Sequence, residues 1–309
     1  MIYYLTHLKS LMEIQMHKSG FIAIVGRPNV GKSTLLNALI EQKVAIMSPK
    51  PQTTRHRITG VLSTADYQMI FVDTPGMHKG KDLLNKTIDK VAVSSLKDVD
   101  MVLFVVDREK TAAETHIINY FKGLKKPIFL VINKIDELKS KALIDSCIMS
   151  YLGSYEFEGF FPVSAKDKTY IDKIKTALLE YLPEGPKYFP PEMKSDQSET
   201  VMISELIREK ILYFTEQEIP HAVAVVIESI YQNQEANQVD VSALIIVERP
   251  TQKQILIGRG GEKIKHIGTE ARKEINKVLD TKIHLTLWVK VKKDWRNRPN
   301  DLKSFGFGE

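Results

Sequence analysis

Apolar residues along this chain follow two rhythms that alternate. Short, nearly unbroken hydrophobic runs recur near 21–25, 56–63, 68–73, 100–107, 127–132 and 158–163. Runs of that length predict strands, and unbroken ones predict strands buried on both faces. Between them, near 32–41, 82–97, 112–123, 137–153 and 169–181, apolar residues return at helical spacing. Strand and helix taking turns at this interval predict an α/β unit over residues 17–182: a mostly parallel six-stranded sheet with helices on both faces.

The rhythm breaks at residues 183–198, where Pro183, Pro186, Pro190, Pro191 and Gly185 crowd together. Such a stretch predicts a semi-rigid linker. A second unit, 199–309, resumes with a helix over 199–215, strands near 221–231 and 239–248, and a strand leading into Gly258–Gly261. A helix from about 262 to 279, a strand over 282–292 and a helical turn at 301–305 complete an α+β pattern. Ahead of the first strand, residues 1–16 form an extension. Tyr3, Tyr4, Leu5, Leu8, Leu11 and Ile14 give it weak amphipathic character, and Met16-His-Lys-Ser-Gly20 reads as an alternative natural start.

Charge changes this picture only in the second unit. The whole chain carries a net +6. Residues 196–248 hold 2 basic against 10 acidic side chains, and residues 249–303 hold 15 against 6. A contrast that sharp between neighbouring segments predicts a face for a polyanion. The single cysteine, Cys147, excludes an intrachain disulfide and falls in a helical pattern as buried filler, which suits a reducing cytosol. No apolar run reaches the roughly 20 residues of a membrane span, and no small-residue cleavage site marks a signal peptide.

The chemistry sits at the strand ends. Gly26, Arg27, Pro28, Asn29, Val30, Gly31, Lys32 and Ser33, followed by Thr34, match the phosphate-binding loop between a strand and a helix. Glycines let the backbone turn its N–H groups toward phosphate oxygens, and the helix N-terminus favours negative charge. Lys32 supplies a point charge for the β/γ-phosphates and Ser33 a hydroxyl for Mg²⁺. Asp73, Thr74, Pro75 and Gly76 follow the strand 68–73; Asp73 suits Mg²⁺ held through water, and the Gly76 N–H suits a γ-phosphate. Asn133, Lys134 and Asp136 follow the strand 127–132. The Asp136 carboxylate accepts only, which fits the paired N–H donors on the edge of guanine, a pair that adenine lacks. Ser164, Ala165 and Lys166 close the base pocket. Any one of the last three motifs is weak alone, but four in order, each after a strand, predict a GTP- and GDP-binding domain.

In the second unit, Gly258, Arg259, Gly260 and Gly261 form a GxxG, with Lys263 and Lys265 just beyond it on a basic helix. Element order and charge predict an RNA-binding KH domain of type II, whose glycines let a nucleic-acid backbone pass close.

Taken together, these motifs resemble the bacterial Era family of GTPases over residues 17–309. Pro51-Gln-Thr-Thr-Arg55, Asp73-Thr-Pro-Gly-Met-His78, Ile267–Lys273, Leu285–Val291 and Leu302–Gly306 are similar to segments of that family. The resemblance implies a monomeric GTP switch that binds the 3′ region of 16S ribosomal RNA and serves 30S subunit assembly. It also implies a cytoplasmic protein loosely associated with the inner membrane. It makes Thr54 the switch threonine that reaches Mg²⁺ and the γ-phosphate, with Thr53 adjacent as the alternative. Met77 stands where Ras-type proteins carry the glutamine that orients water, so slow intrinsic hydrolysis is expected. Asn29 either holds K⁺ near the β/γ-phosphates or only shapes the loop. Two other functions fit parts of the chain. A transfer-RNA-modification GTPase would need a C-terminal catalytic cysteine, and Cys147 lies mid-chain; a non-catalytic RNA-binding scaffold would not need Lys32, Ser33, Asp73 and Asp136.

Overall fold

In the computed structural model, the described residues are 17–50, 53–77, 82–138, 140–216 and 219–307. The extension 1–16, Pro51, Gln52 and His78 lie outside them. The first unit is the expected sheet, in the order β2 (Ile58–Ser63), β3 (Tyr67–Asp73), β1 (Lys18–Val25), β4 (Met101–Val106), β5 (Ile128–Ile132), β6 (Gly159–Pro162). All neighbours are parallel except β2, which runs antiparallel to β3. Unbroken apolar runs arise because both faces are covered. Ile22 and Ile24 of β1 enter a core with Leu35, Leu36 and Leu39 of the helix Lys32–Ile40 and with Ile174 and Leu178 of the helix Ile171–Tyr181. Ala23 and Val25 point the other way, toward Ile117 and Phe121 of the helix Ala112–Phe121 and toward Cys147 and Tyr151 of the helix Lys141–Tyr151. Cys147 is buried there, and its burial pushes the thiol up to about 11.

The second unit packs the helices Glu199–Phe214 and Glu262–Leu279 on a three-stranded sheet, β7 (Ala224–Asn233), β8 (Gln238–Val247) and β9 (Ile283–Val291). The first pair is antiparallel and the second parallel. The run before Gly258 departs from the expected strand. Residues Pro250–Ile257 are helical. Pro250 occupies the first helical position, where its missing N–H costs nothing. The Gln252 side-chain oxygen accepts the N–H groups of Glu248 and Arg249 at 2.9 and 3.0 Å, so the N-terminus is capped. Those two signals outweigh the short apolar run Ile255-Leu-Ile257.

The linker is bound along its length. Ser19 N–H donates to Pro183 O at 2.9 Å, and Val61 N–H donates to Lys194 O at 2.9 Å. Fully buried Gln68 accepts the N–H groups of Tyr188 and Phe189 and donates to Phe189 O. The two units also share a small apolar cluster, in which Leu84 and Ile88 meet Ala224, Ile246, Trp295 and Leu302.

Candidate functional site

The phosphate loop leaves β1 through Gly26 and turns into the helix Lys32–Ile40 at Gly31, whose φ of +93° is left-handed. A side chain at Gly31 would bring its Cβ to 2.3 Å from the Asn133 amide nitrogen. That nitrogen is committed: it donates to Val30 O at 2.9 Å, while Asn133 Oδ1 accepts the Ala165 N–H at 3.0 Å. Asn133 therefore ties the phosphate loop to the segment Ser164–Lys166. Ser164 Oγ donates to Asp136 Oδ1 at 2.7 Å and holds that carboxylate in place. Lys134 donates to Asp107 Oδ2 at 3.1 Å, and Arg27 is fastened by Asp107 and Glu114. Neither acid was singled out in the sequence, where nothing local distinguishes them from surface charge.

Lys32 is 6% exposed, and its amino group donates to Arg27 O at 2.9 Å. Burial pulls its pKa down to about 8, with Asp73 opposing the shift. Asp73 is fully buried, and burial raises its carboxyl to about 6 against the pull of Lys32, Ser33 and Thr54. Ser33 Oγ donates to Asp73 Oδ2 at 2.6 Å and lies 2.7 Å from Thr54 Oγ1. Thr53 turns away; its hydroxyl donates to Lys50 O at 2.7 Å. Of the two candidates, the structure thus places Thr54 beside the phosphate loop. Among the described residues, Asp73 Oδ1 is buried with no hydrogen-bond partner. A buried carboxylate oxygen left unpaired beside two converging hydroxyls fits Mg²⁺. Ser33, Thr54 and Asp73 would hold the ion, which when bound neutralises charge on the phosphate oxygens.

Lys32, Ser33 and Thr54 border one cleft of about 430 Å³. Its phosphate end is lined by Pro28, Asn29, Gly31, Lys32, Ser33 and Thr34, with Thr54 and Gly76. Asn133, Lys134, Asp136 and Lys166 line the base end. Gly76 approaches so closely that a Cβ there would lie 2.6 Å from Pro28 N. Asn29, at φ +66°, donates its amide to Pro49 O at 2.9 Å and joins the loop to the wall 46–49. Met77, expected among the nucleotide residues, is placed differently. Its N–H bonds Gly26 O, and its side chain is 4% exposed in the core against Ala23 and Val72. Gly26, Arg27, Val30, Asp73, Thr74, Pro75, Ser164 and Ala165 are not among the cleft's lining residues. Ile46, Met47, Ser48, Pro49 and Tyr213 line it without any sequence signal.

Two buried arginines hold the segment 53–55 against the second unit. Arg55 donates to Val223 O at 2.6 Å, Pro220 O at 3.1 Å and His221 O at 3.2 Å. Arg208, in the helix Glu199–Phe214, donates to Thr53 O and pairs with Glu205 at 2.7 Å. Burial alone would raise the Glu205 carboxyl, but Arg208 outweighs it and holds the group below its ordinary value.

In the second unit Gly258, Gly260 and Gly261 all have positive φ, at 73°, 59° and 83°. A Cβ at Gly260 or Gly261 would meet nothing within 4 Å, so that side of the loop is open. Arg259 and Lys265 are exposed and Lys263 is half-buried. Lys265 continues into a groove of about 390 Å³ with Thr269, Arg272, His284 and Leu285.

A phosphate loop before a helix, an aspartate at the end of β3 and an Asn-Lys-Ile-Asp at the end of β5 define a P-loop GTPase, here joined to a KH domain. The chain matches the family model "50S ribosome-binding GTPase" over residues 21–134 and the KH-domain model over 218–296. It belongs to the Era family of GTPases and is a GTP-hydrolysing enzyme. GTPase Era of Lacticaseibacillus paracasei is 48% identical over 293 residues, covering 94% of this chain and 97% of that protein. GTPase Era of Heliobacterium modesticaldum is 49% identical over 294 residues, covering 94% and 98%. Among solved structures, a variant of Aquifex aeolicus Era bound to GDP·AlF4⁻ superimposes with a TM-score of 0.91 at 38% identity, covering 94% of this chain and all of that one. Era in complex with MgGDPNP and nucleotides 1506–1542 of 16S ribosomal RNA gives 0.89 at 38% identity, covering 95% and 100%.

Asp136→Asn replaces an acceptor with a donor facing guanine's own donors. Charge-assisted hydrogen bonds are worth about 1.5–3 kcal/mol each, so GTP affinity should fall at least about tenfold. Xanthosine triphosphate, whose edge is complementary to the new side chain, should lose less. Calorimetric titration with both nucleotides checks this; unchanged GTP affinity would refute the assignment of Asp136.

Proposed function

We propose that this chain is a GTP-driven switch that binds the 3′ region of small-subunit ribosomal RNA through its second unit and serves 30S assembly. Residues 17–182 act as the nucleotide unit, 183–198 as the connection and 199–309 as the RNA unit. The observation that carries the reading is the loop Gly258–Gly261: three left-handed glycines with open space beside two of them, next to Arg259, Lys263 and Lys265. An RNA backbone needs that close approach and that charge together. A relative of 38% identity was solved with 16S nucleotides. In the nucleotide unit, Lys32, Thr54, Gly76 and Asn29 serve hydrolysis. Thr54 senses the γ-phosphate through Mg²⁺. Asn29 shapes the loop or holds K⁺, and equal single-turnover rates in Na⁺ and K⁺ would leave it the first role alone. The protein works as a cytoplasmic monomer with loose attachment to the inner membrane; among the described residues no helix is long and apolar enough to cross one.

The test is Arg259→Asp combined with Gly260→Asp. The double variant should lose binding to an RNA carrying the small-subunit 3′-terminal sequence, while intrinsic GTP hydrolysis changes little. Wild-type binding should weaken steeply with salt, as counterion release requires. Unchanged RNA affinity in a variant with native circular dichroism would sink the proposal.

A further inference from the structure

Among the described residues, the nucleotide cleft has one lining residue from the second unit. Tyr213, near the end of the helix Glu199–Phe214, lines the cleft beside the segment 46–49. Its placement follows from the residue one turn earlier. Glu209 accepts the Met47 N–H at 2.8 Å and pairs with Lys43 at 2.8 Å. Residues four apart share a helix face, so the anchor that holds Met47 also sets Tyr213 next to it. Lys43 pairs in addition with Glu274 at 2.7 Å, on the helix Glu262–Leu279. The cleft wall 46–49 is thereby fixed to both helices of the second unit.

The chemistry of the lining assigns what this wall faces. The phosphates have Lys32, Ser33, Thr34 and Thr54, and the guanine edge has Asp136. Ile46, Met47, Pro49 and Tyr213 offer apolar and aromatic surface. A ring face carries negative charge density and repels phosphate oxygens; it suits the flat base or the C–H edge of the ribose. Tyr213 is 70% exposed, so the fold itself gains little from burying it. We propose that Tyr213 covers the nucleoside of bound GTP or GDP, so that the guanine-nucleotide site is completed by the second unit. The position also links two sites. Tyr213 meets Phe214 edge-on at 5.0 Å, and Phe214 meets His266 at 4.5 Å, five residues beyond Gly261 on the helix that follows the GxxG loop.

The experiment measures GDP, GDPNP and inorganic tripolyphosphate binding by calorimetry with the full chain, Tyr213→Ala and Tyr213→Phe. One aromatic contact corresponds to about a fivefold change in affinity. Tyr213→Ala should therefore bind both nucleotides about fivefold more weakly, with tripolyphosphate binding and the thermal unfolding midpoint unchanged. Tyr213→Phe keeps the ring and should stay within about twofold of wild type. Nucleotide affinity unchanged in Tyr213→Ala would overturn the proposal. So would an equal loss for tripolyphosphate, because the contact would then be made to phosphate.

Discussion

Lys32→Ala should abolish useful nucleotide binding, with GDP and GTP affinity falling at least about a hundredfold. The lysine is nearly buried, and its amino group donates to the Arg27 carbonyl. It is a cation held in a desolvated place for a ligand that brings the opposite charge. Two charge-assisted bonds to phosphate at about 1.5–3 kcal/mol each account for the loss. The empty protein should not suffer. Burial lowers the Lys32 pKa from 10.5 to about 8, so the unfolded chain binds this proton more tightly than the folded one. Stability from this group therefore rises with pH between about 8 and 10.5, and below 8 the charged lysine costs stability in full. Alanine removes that cost. Without nucleotide, the thermal midpoint of Lys32→Ala should equal or exceed that of wild type at pH 7, and the upward shift on adding GDP should vanish. A midpoint that still climbs with GDP would show that the phosphates rest elsewhere.

Arg208→Ala should be the most destabilising single change outside the hydrophobic cores. The guanidinium is 2% exposed, and its partner Glu205 is 7% exposed. Removing one member of a buried pair strands the other charge, at about 3–5 kcal/mol. Thr53 O loses a donor at the same time. The double variant Glu205→Gln with Arg208→Ala should recover part of the loss, since no naked charge remains. Arg208→Lys should not rescue, because an ammonium cannot serve Glu205 and the Thr53 carbonyl with a planar fork. Urea unfolding midpoints for these proteins and for Glu205→Gln alone test this; additive losses in the double variant would mean that the pair is not coupled.

The nucleotide site was legible because its parts are local. A phosphate loop is a run of adjacent residues whose backbone does the binding, and each other motif hangs on the end of an apolar strand. Lys32, Ser33, Asp73 and Asp136 could be read in that way, and the sheet with them. The GxxG was legible for the same reason, yet the element before it was not. Three apolar residues at 255–257 do not distinguish strand from helix, and the deciding signals were Pro250 and the Gln252 cap. Met77 follows the Gly76 N–H in the chain, while its side chain turns into the core, which position in sequence alone does not show. Contacts distant in sequence left no trace at all. Tyr213 and Met47 come together through Glu209, and Thr53 meets Arg208 from 155 residues away. No window of sequence contains both partners, and no periodicity marks them.

The docked linker bears on how the chain tolerates cutting. β2 is the terminal strand of its sheet, and Val61 N–H on its outer side is satisfied by Lys194 O. Gly60 and Ser195 form a bridge beside it. A gene truncated after Leu182 would strip that cover and present unpaired N–H and C=O groups, a template on which a second copy can add a strand. Such a fragment is expected to self-associate, whereas one that ends after Ser195 keeps its border closed.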